Sequence, residues 1–80
     1  MDKLVRIKEQ SIKRLEKDIQ MYENELVAIQ GEKEKEESSG NDYYALRTIE
    51  QRSEETRKAL ESTQTILKKT KAELDRMNNE

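Results

Sequence analysis

The chain has no histidine and no cysteine, so any acid–base or nucleophilic chemistry would fall to carboxylates, amines and three tyrosines. That removes imidazole and thiolate catalysis, disulfides and the ordinary zinc site. The 18 Asp and Glu residues outnumber 16 Lys and Arg, for a net charge of -2. Carboxylates do general acid–base work only where a cleft desolvates one of a pair and moves its pKa. No spacing here singles out such a pair. Glu9 with Lys13 and Glu54 with Lys58 are ordinary i,i+4 partners, worth about 0.2–0.5 kcal/mol on a helix. Gly31 and Gly40 are separated by a charge run and do not form a phosphate-binding loop. The expectation is therefore no enzyme, no metal and no cofactor.

The elements that position these charges follow from composition and spacing. Of 80 residues, 42 % are charged and 31 % hydrophobic, with no Pro, Trp or Phe. So little apolar material cannot fill a compact mixed α/β core. It suits either disorder or long helices. The longest apolar run, Leu26-Val27-Ala28-Ile29, falls far short of the ~20 residues that span a bilayer. No signal-peptide pattern follows Met1, and a soluble cytoplasmic protein is expected.

Periodicity decides for helices. Val5, Lys8, Ile12, Leu15, Ile19, Tyr22, Leu26 and Ile29 alternate spacings of three and four, a heptad seam interrupted at Lys8. Its continuation falls on Lys33 and Glu36, inside the charged run 32–37. Leu46, Ile49, Ser53, Thr56, Leu60, Thr63, Leu67, Thr70, Leu74 and Met77 repeat the alternation without a stutter. Between the two series lies Ser38-Ser39-Gly40-Asn41-Asp42, the one turn-like cluster, with Asn41 or Asp42 as N-cap. The reading is all-α: a single rod with a helix over about 2–37, a turn over 38–41 and an unbroken helix over about 42–78. Two arms of equal length across a short turn fold back as an antiparallel hairpin. Facing residue numbers are expected to sum to 78 or 79, with the pivot at Ser39 and Gly40. That register sets Tyr22 against Ser53 and Thr56.

Charge is uneven along such a hairpin. Residues 1–20 carry six basic and four acidic groups, whereas residues 21–42 carry two and seven. The open end is mildly basic and the turn end strongly acidic. Without interleaved aromatics, the basic end is too weak for a nucleic-acid footprint. Tyr43-Tyr44 reads as a local packing cap beside the turn, with a partner contact as the alternative. Leu4, Ile7, Met21 and Ala28, with Ala45, Ala59 and Ile66, make a faint second stripe beside the seam. They are either scattered surface apolars or a docking face.

The segment Ile7-Lys8, Ile12-Lys13-Arg14-Leu15, Lys17-Asp18, Met21-Tyr22-Glu23 and Glu25 resembles the first helix of the tubulin-binding cofactor A family. An Ile-Lys pair, a Val/Ile-Lys-Arg-Leu block and a Met-Tyr-Glu-x-Glu block follow one another there at these distances. The turn followed by Tyr43 is similar too; beyond Leu46 the likeness is one of pattern and length. The resemblance implies a small helical rod that captures β-tubulin after its release from the cytosolic chaperonin, without nucleotide or metal. It implies a three-helix bundle with a proline break in the second helix. This sequence has the first two helices and no proline at 57–62.

The resemblance and the rod-like form together lead to a tubulin-folding cofactor, cytoplasmic and cytoskeleton-associated, acting through helix faces. The expected binding surface is Gln51, Glu54, Glu55, Lys58 and Glu61 on the second helix, with Lys13, Arg14 and Lys17 on the first. The alternative is a coiled-coil assembly module, such as a prefoldin-like or tethering-complex subunit. Because one sparse seam buries little, the hairpin is expected to be completed by self-association as a homodimer.

Overall fold

A computed structural model describes residues 2–40 and 42–79. Helix α1 spans Asp2–Ser39 and helix α2 spans Tyr43–Asn78, and they pack along their whole length into a rod 59 × 14 × 14 Å. The fold is the expected all-α antiparallel hairpin. No turn interrupts α2 between Arg57 and Thr63, as the unbroken seam and the absence of proline require.

The turn is tighter than the sequence reading had it. α1 runs on to Ser39, where the Ser38 and Ser39 hydroxyls donate to the Glu34 and Lys35 carbonyls, each at 2.8 Å. Asp42 caps α2: its carboxylate accepts from the Tyr44 and Ala45 amides at 2.9 and 3.4 Å. Asn41, the other N-cap candidate, lies outside the described residues. Gly40 does not use the left-handed backbone that glycine alone adopts freely.

Every seam position read from the sequence is buried or half-buried, including Lys8, Lys33 and Glu36. The core is nevertheless thin. Ile29, 2 % exposed, is the one buried hydrophobic residue among those described, joined by Thr70 at 9 %. The Thr63 and Thr70 hydroxyls donate to the carbonyls of Ala59 and Ile66, both at 2.8 Å, so neither enters the seam unsatisfied.

The register differs from expectation by one layer. Helix ends at Ser39 and Tyr43 place the pivot at residue 41, so level residues sum to about 82. The cross-helix ion pairs agree, with residue numbers summing to between 81 and 87. They are Lys8–Glu73 at 2.7 Å, Lys33–Glu50 at 2.6 Å, Glu32–Arg52 at 2.7 Å and Glu16–Lys71 at 3.7 Å. Tyr22 is thus level with Leu60, not set between Ser53 and Thr56. The physical reason is the distribution of polar seam residues. With the pivot at 41, Lys8, Lys33 and Glu36 lie level with Leu74, Ile49 and Leu46. Ser53, Thr56, Thr63 and Thr70 lie level with Ile29, Leu26, Ile19 and Ile12. Each layer then holds an apolar side chain, whereas the expected register leaves Lys8 level with Thr70. Lys8 and Lys33 lay their stems along the seam and send their ammonium groups out to carboxylates of the other helix.

These lysines hold both carboxylates below their usual range, chiefly by hydrogen bonding to Glu73 and Glu50, and Lys33 is raised by the same bond to Glu50. A carboxylate lowered on folding contributes stability above its unfolded pKa and loses it as pH falls through the folded one. A raised lysine contributes below its unfolded pKa and loses it as pH rises through the folded one. Glu50→Gln with Glu73→Gln should therefore melt below the wild type at neutral pH, the gap closing on acidification. Thermal scans across pH check this; a gap independent of pH contradicts it. Gly31 sits in mid-helix with nothing within 4 Å of where a Cβ would stand. Gly31→Ala should accordingly stabilise the hairpin by about 1 kcal/mol, read from urea melts.

Candidate functional site

The sequence-predicted residues fall in two places. Lys13, Arg14 and Lys17 are exposed and, with Gln10, line a shallow depression on the outer face of α1. Gln51, Glu54, Glu55, Lys58 and Glu61 are exposed on the outer side of α2, where Glu54 meets Arg57 at 3.4 Å. The two outer faces point away from each other across the rod. The structure does not gather these eight residues into one patch.

Among the described residues, Lys13, Arg14 and Lys17 enter no ion pair, although Lys8, Lys33, Arg52 and Lys71 all pair across the helices. The reason is position. The bridging cations lie in the seam or on its flank, within reach of the other helix. Lys13 and Lys17 project outward, beyond any carboxylate of α2. They form a cluster of positive charge on a rod of net charge -2.

The apolar stripe resolves more sharply. With Val5 and Leu46 as position a of the repeat, one flank of both helices is the g line with its neighbouring c line. All seven stripe residues lie there: Leu4, Ile7, Met21 and Ala28 on α1, and Ala45, Ala59 and Ile66 on α2. In an antiparallel pair the g lines share one side and the e lines the other. The bridges confirm it: Glu32–Arg52 joins g to g and Glu16–Lys71 joins e to e. The e side carries Glu9, Glu16, Glu23, Glu50, Arg57 and Lys71, all exposed. On the g side Ser11, Asp18, Ala45, Ala59 and Glu73 are half-buried, while Leu4, Ile7, Met21 and Ile66 stand 63, 49, 53 and 52 % exposed. An open groove crosses the seam there, with Ile7, Ser11 and Leu15 on one wall and Ile66 and Thr70 on the other.

Two exposed features remain. Val27, 74 % exposed, stands on the opposite flank; it belongs to the four-residue apolar run, of which only Leu26 and Ile29 are seam positions. Tyr43 and Tyr44 pack edge to face on each other, centroids 5.9 Å apart at 79°, and the Arg47 guanidinium donates to the Tyr43 hydroxyl at 3.3 Å. At 66 and 80 % exposure they do not cap the hairpin as the sequence reading supposed.

No cluster of three or more His, Cys, Asp or Glu side chains suited to a metal ion occurs among the described residues, and no described helix is long and apolar enough to cross a membrane. What the molecule offers is surface: a cationic outer face on α1, a polar side, and a side where exposed apolar side chains lie among charged ones. No curated protein and no solved structure matches the chain. The family model for tubulin binding cofactor A matches residues 2–80, which takes in both helices and the turn and extends the likeness well beyond the blocks on α1. A helical hairpin with a family match over nearly its whole length settles the assignment: this chain belongs to the tubulin binding cofactor A family.

Proposed function

We propose that this protein captures β-tubulin after its release from the cytosolic chaperonin and holds it until assembly, by helix-face binding and without catalysis. Membership of the family supports tubulin as the partner. The observation that carries the reading on this chain is the outward cluster of Lys13, Arg14 and Lys17. Its cations have no partner among the described residues and are available to an acidic surface. Lys13-Arg14 and the Met21-Tyr22-Glu23 block are the residues on which the resemblance to the family rests. Binding of this kind is electrostatically steered and weakens as salt rises. Gln51, Glu54, Glu55, Lys58 and Glu61, on the other outer face and nearer the turn, form a second contact to a partner that reaches around the rod. The work is done in the cytoplasm, beside the cytoskeleton that the released tubulin enters.

The test is a pull-down of separated α- and β-tubulin at low and high ionic strength. The wild type should recover β-tubulin in preference to α-tubulin, with recovery falling as salt is added. Lys13→Glu with Lys17→Glu should weaken capture by about ten-fold at low salt. Recovery of neither tubulin chain at low ionic strength overturns the reading and leaves the hairpin as a coiled-coil assembly module.

A further inference from the structure

We infer, on the reading that the rod captures its partner by helix faces, that the outer face of α1 is a track for one extended, acid-rich polypeptide segment of that partner, laid along the helix axis. Charge segregates on this helix. Its two outward lines, positions b and f of the repeat, carry Lys3, Arg6, Gln10, Lys13, Lys17, Gln20 and Asn24, all exposed, and no acid before Glu34. Arg14 stands beside them at c. The same two lines on α2 mix the signs, with Arg47, Glu54, Lys58 and Glu61. In a chain with 18 acidic residues, a helix face that served only its own stability would alternate charge as α2 does. Instead Lys3 and Arg6, Arg14 and Lys17, and Lys13 and Lys17 set like charges at i,i+3 or i,i+4, where they repel. None of these five cations enters an ion pair among the described residues.

Width and length select the occupant. The e line that borders the track is Glu9, Glu16 and Glu23, all exposed. A membrane surface or a duplex nucleic acid is broader than one helix face, and would set its negative charge on those carboxylates as well as on the cations. A single-stranded nucleic acid would find no aromatic ring on the track to stack against. An extended acidic peptide meets neither obstacle: it is one strand wide, and alternate side chains face the helix. From Lys3 to Lys17 the track runs about 21 Å at 1.5 Å per residue, the reach of about seven residues of extended chain. Gln10 fills the gap between Arg6 and Lys13, where its amide donates to a carboxylate or a peptide carbonyl. Beside it, the side chains of Lys13, Arg14 and Lys17 complete the wall of the shallow depression. Toward the turn, the Gln20 amide donates to Asn24 Oδ1 at 3.0 Å, which leaves the amide hydrogens of Asn24 for the peptide backbone.

The experiment titrates labelled oligoglutamate of about four, seven and fourteen residues with the full chain at low salt, read by fluorescence anisotropy. Affinity should climb about ten-fold from the shortest peptide to the middle one and flatten beyond it. Lys3→Glu with Arg6→Glu, outside the surface already assigned to tubulin, should weaken the middle peptide about ten-fold. Gln10→Glu should weaken it and Gln10→Lys should tighten it, each about three-fold. Arg47→Glu with Lys68→Glu makes the same change of net charge on α2 and should leave binding as it was. Equal weakening by that pair overturns the track, because net charge alone then accounts for the binding. All these positions are exposed, and helical circular dichroism at the wild-type level separates lost binding from lost folding. Tighter binding of oligouridylate or of phosphatidylserine vesicles through the same residues overturns the peptide as occupant. Capture of β-tubulin that the longest peptide does not displace overturns the track and leaves the proposed function standing. Peptide bound on the track with neither tubulin captured keeps the track and removes tubulin as its partner.

Discussion

A seam between two helices closes only if each layer contributes apolar surface, and seven of the twenty seam positions here are Lys, Glu, Ser or Thr. The hairpin meets this constraint by register. A pivot at residue 41 sets each polar seam residue level with an apolar one on the other helix. The lysines take part through their stems and export their charge to Glu73 and Glu50. The seam threonines Thr63 and Thr70 return their hydroxyls to the preceding turn of their own helix. Such a seam is sufficient to align two long helices and too thin to bury many side chains.

The same thinness makes the flanks matter. In a wide core, side chains beside the seam would be covered; here Leu4, Met21 and Ile66 remain more than half exposed. They share one side because the seven apolar residues of the stripe fall at g or c, among charged neighbours such as Glu25 and Lys69, and none of them falls at e. A hairpin so divided has two kinds of surface: a flank with exposed apolar side chains, and an outer face of α1 that carries Lys13 and Lys17. A rod that works by presenting surface needs no pocket, which suits a binding cofactor.

Much of the fold was legible because helical periodicity is a local property. The three–four alternation marked all twenty seam positions, and each is buried or half-buried. The lack of proline marked α2 as continuous, and Asp42 marked its start. The blocks from Ile7 to Glu25 carried the likeness to the family that the full-length match bears out. The predicted surface residues were legible only as exposed charges, since nothing in a linear sequence says which outward faces point the same way.

What the sequence determined by itself is therefore the identity of the seam: which side chains face inward depends on spacing along one helix. What only the tertiary structure decided is how the two seams meet. The three–four repeat looks almost the same after a slip of one layer, so the pattern is nearly degenerate between pivots at 39–40 and at 41. The tie is broken by the turn, where Ser38 and Ser39 bond back to α1 and Asp42 opens α2. It is broken too by charges that reach across only when the helices are side by side, as at Lys8–Glu73. The gathering of seven scattered apolar residues onto one side is settled by the same step, because the flank of one helix becomes continuous with that of the other only after the chain has folded back.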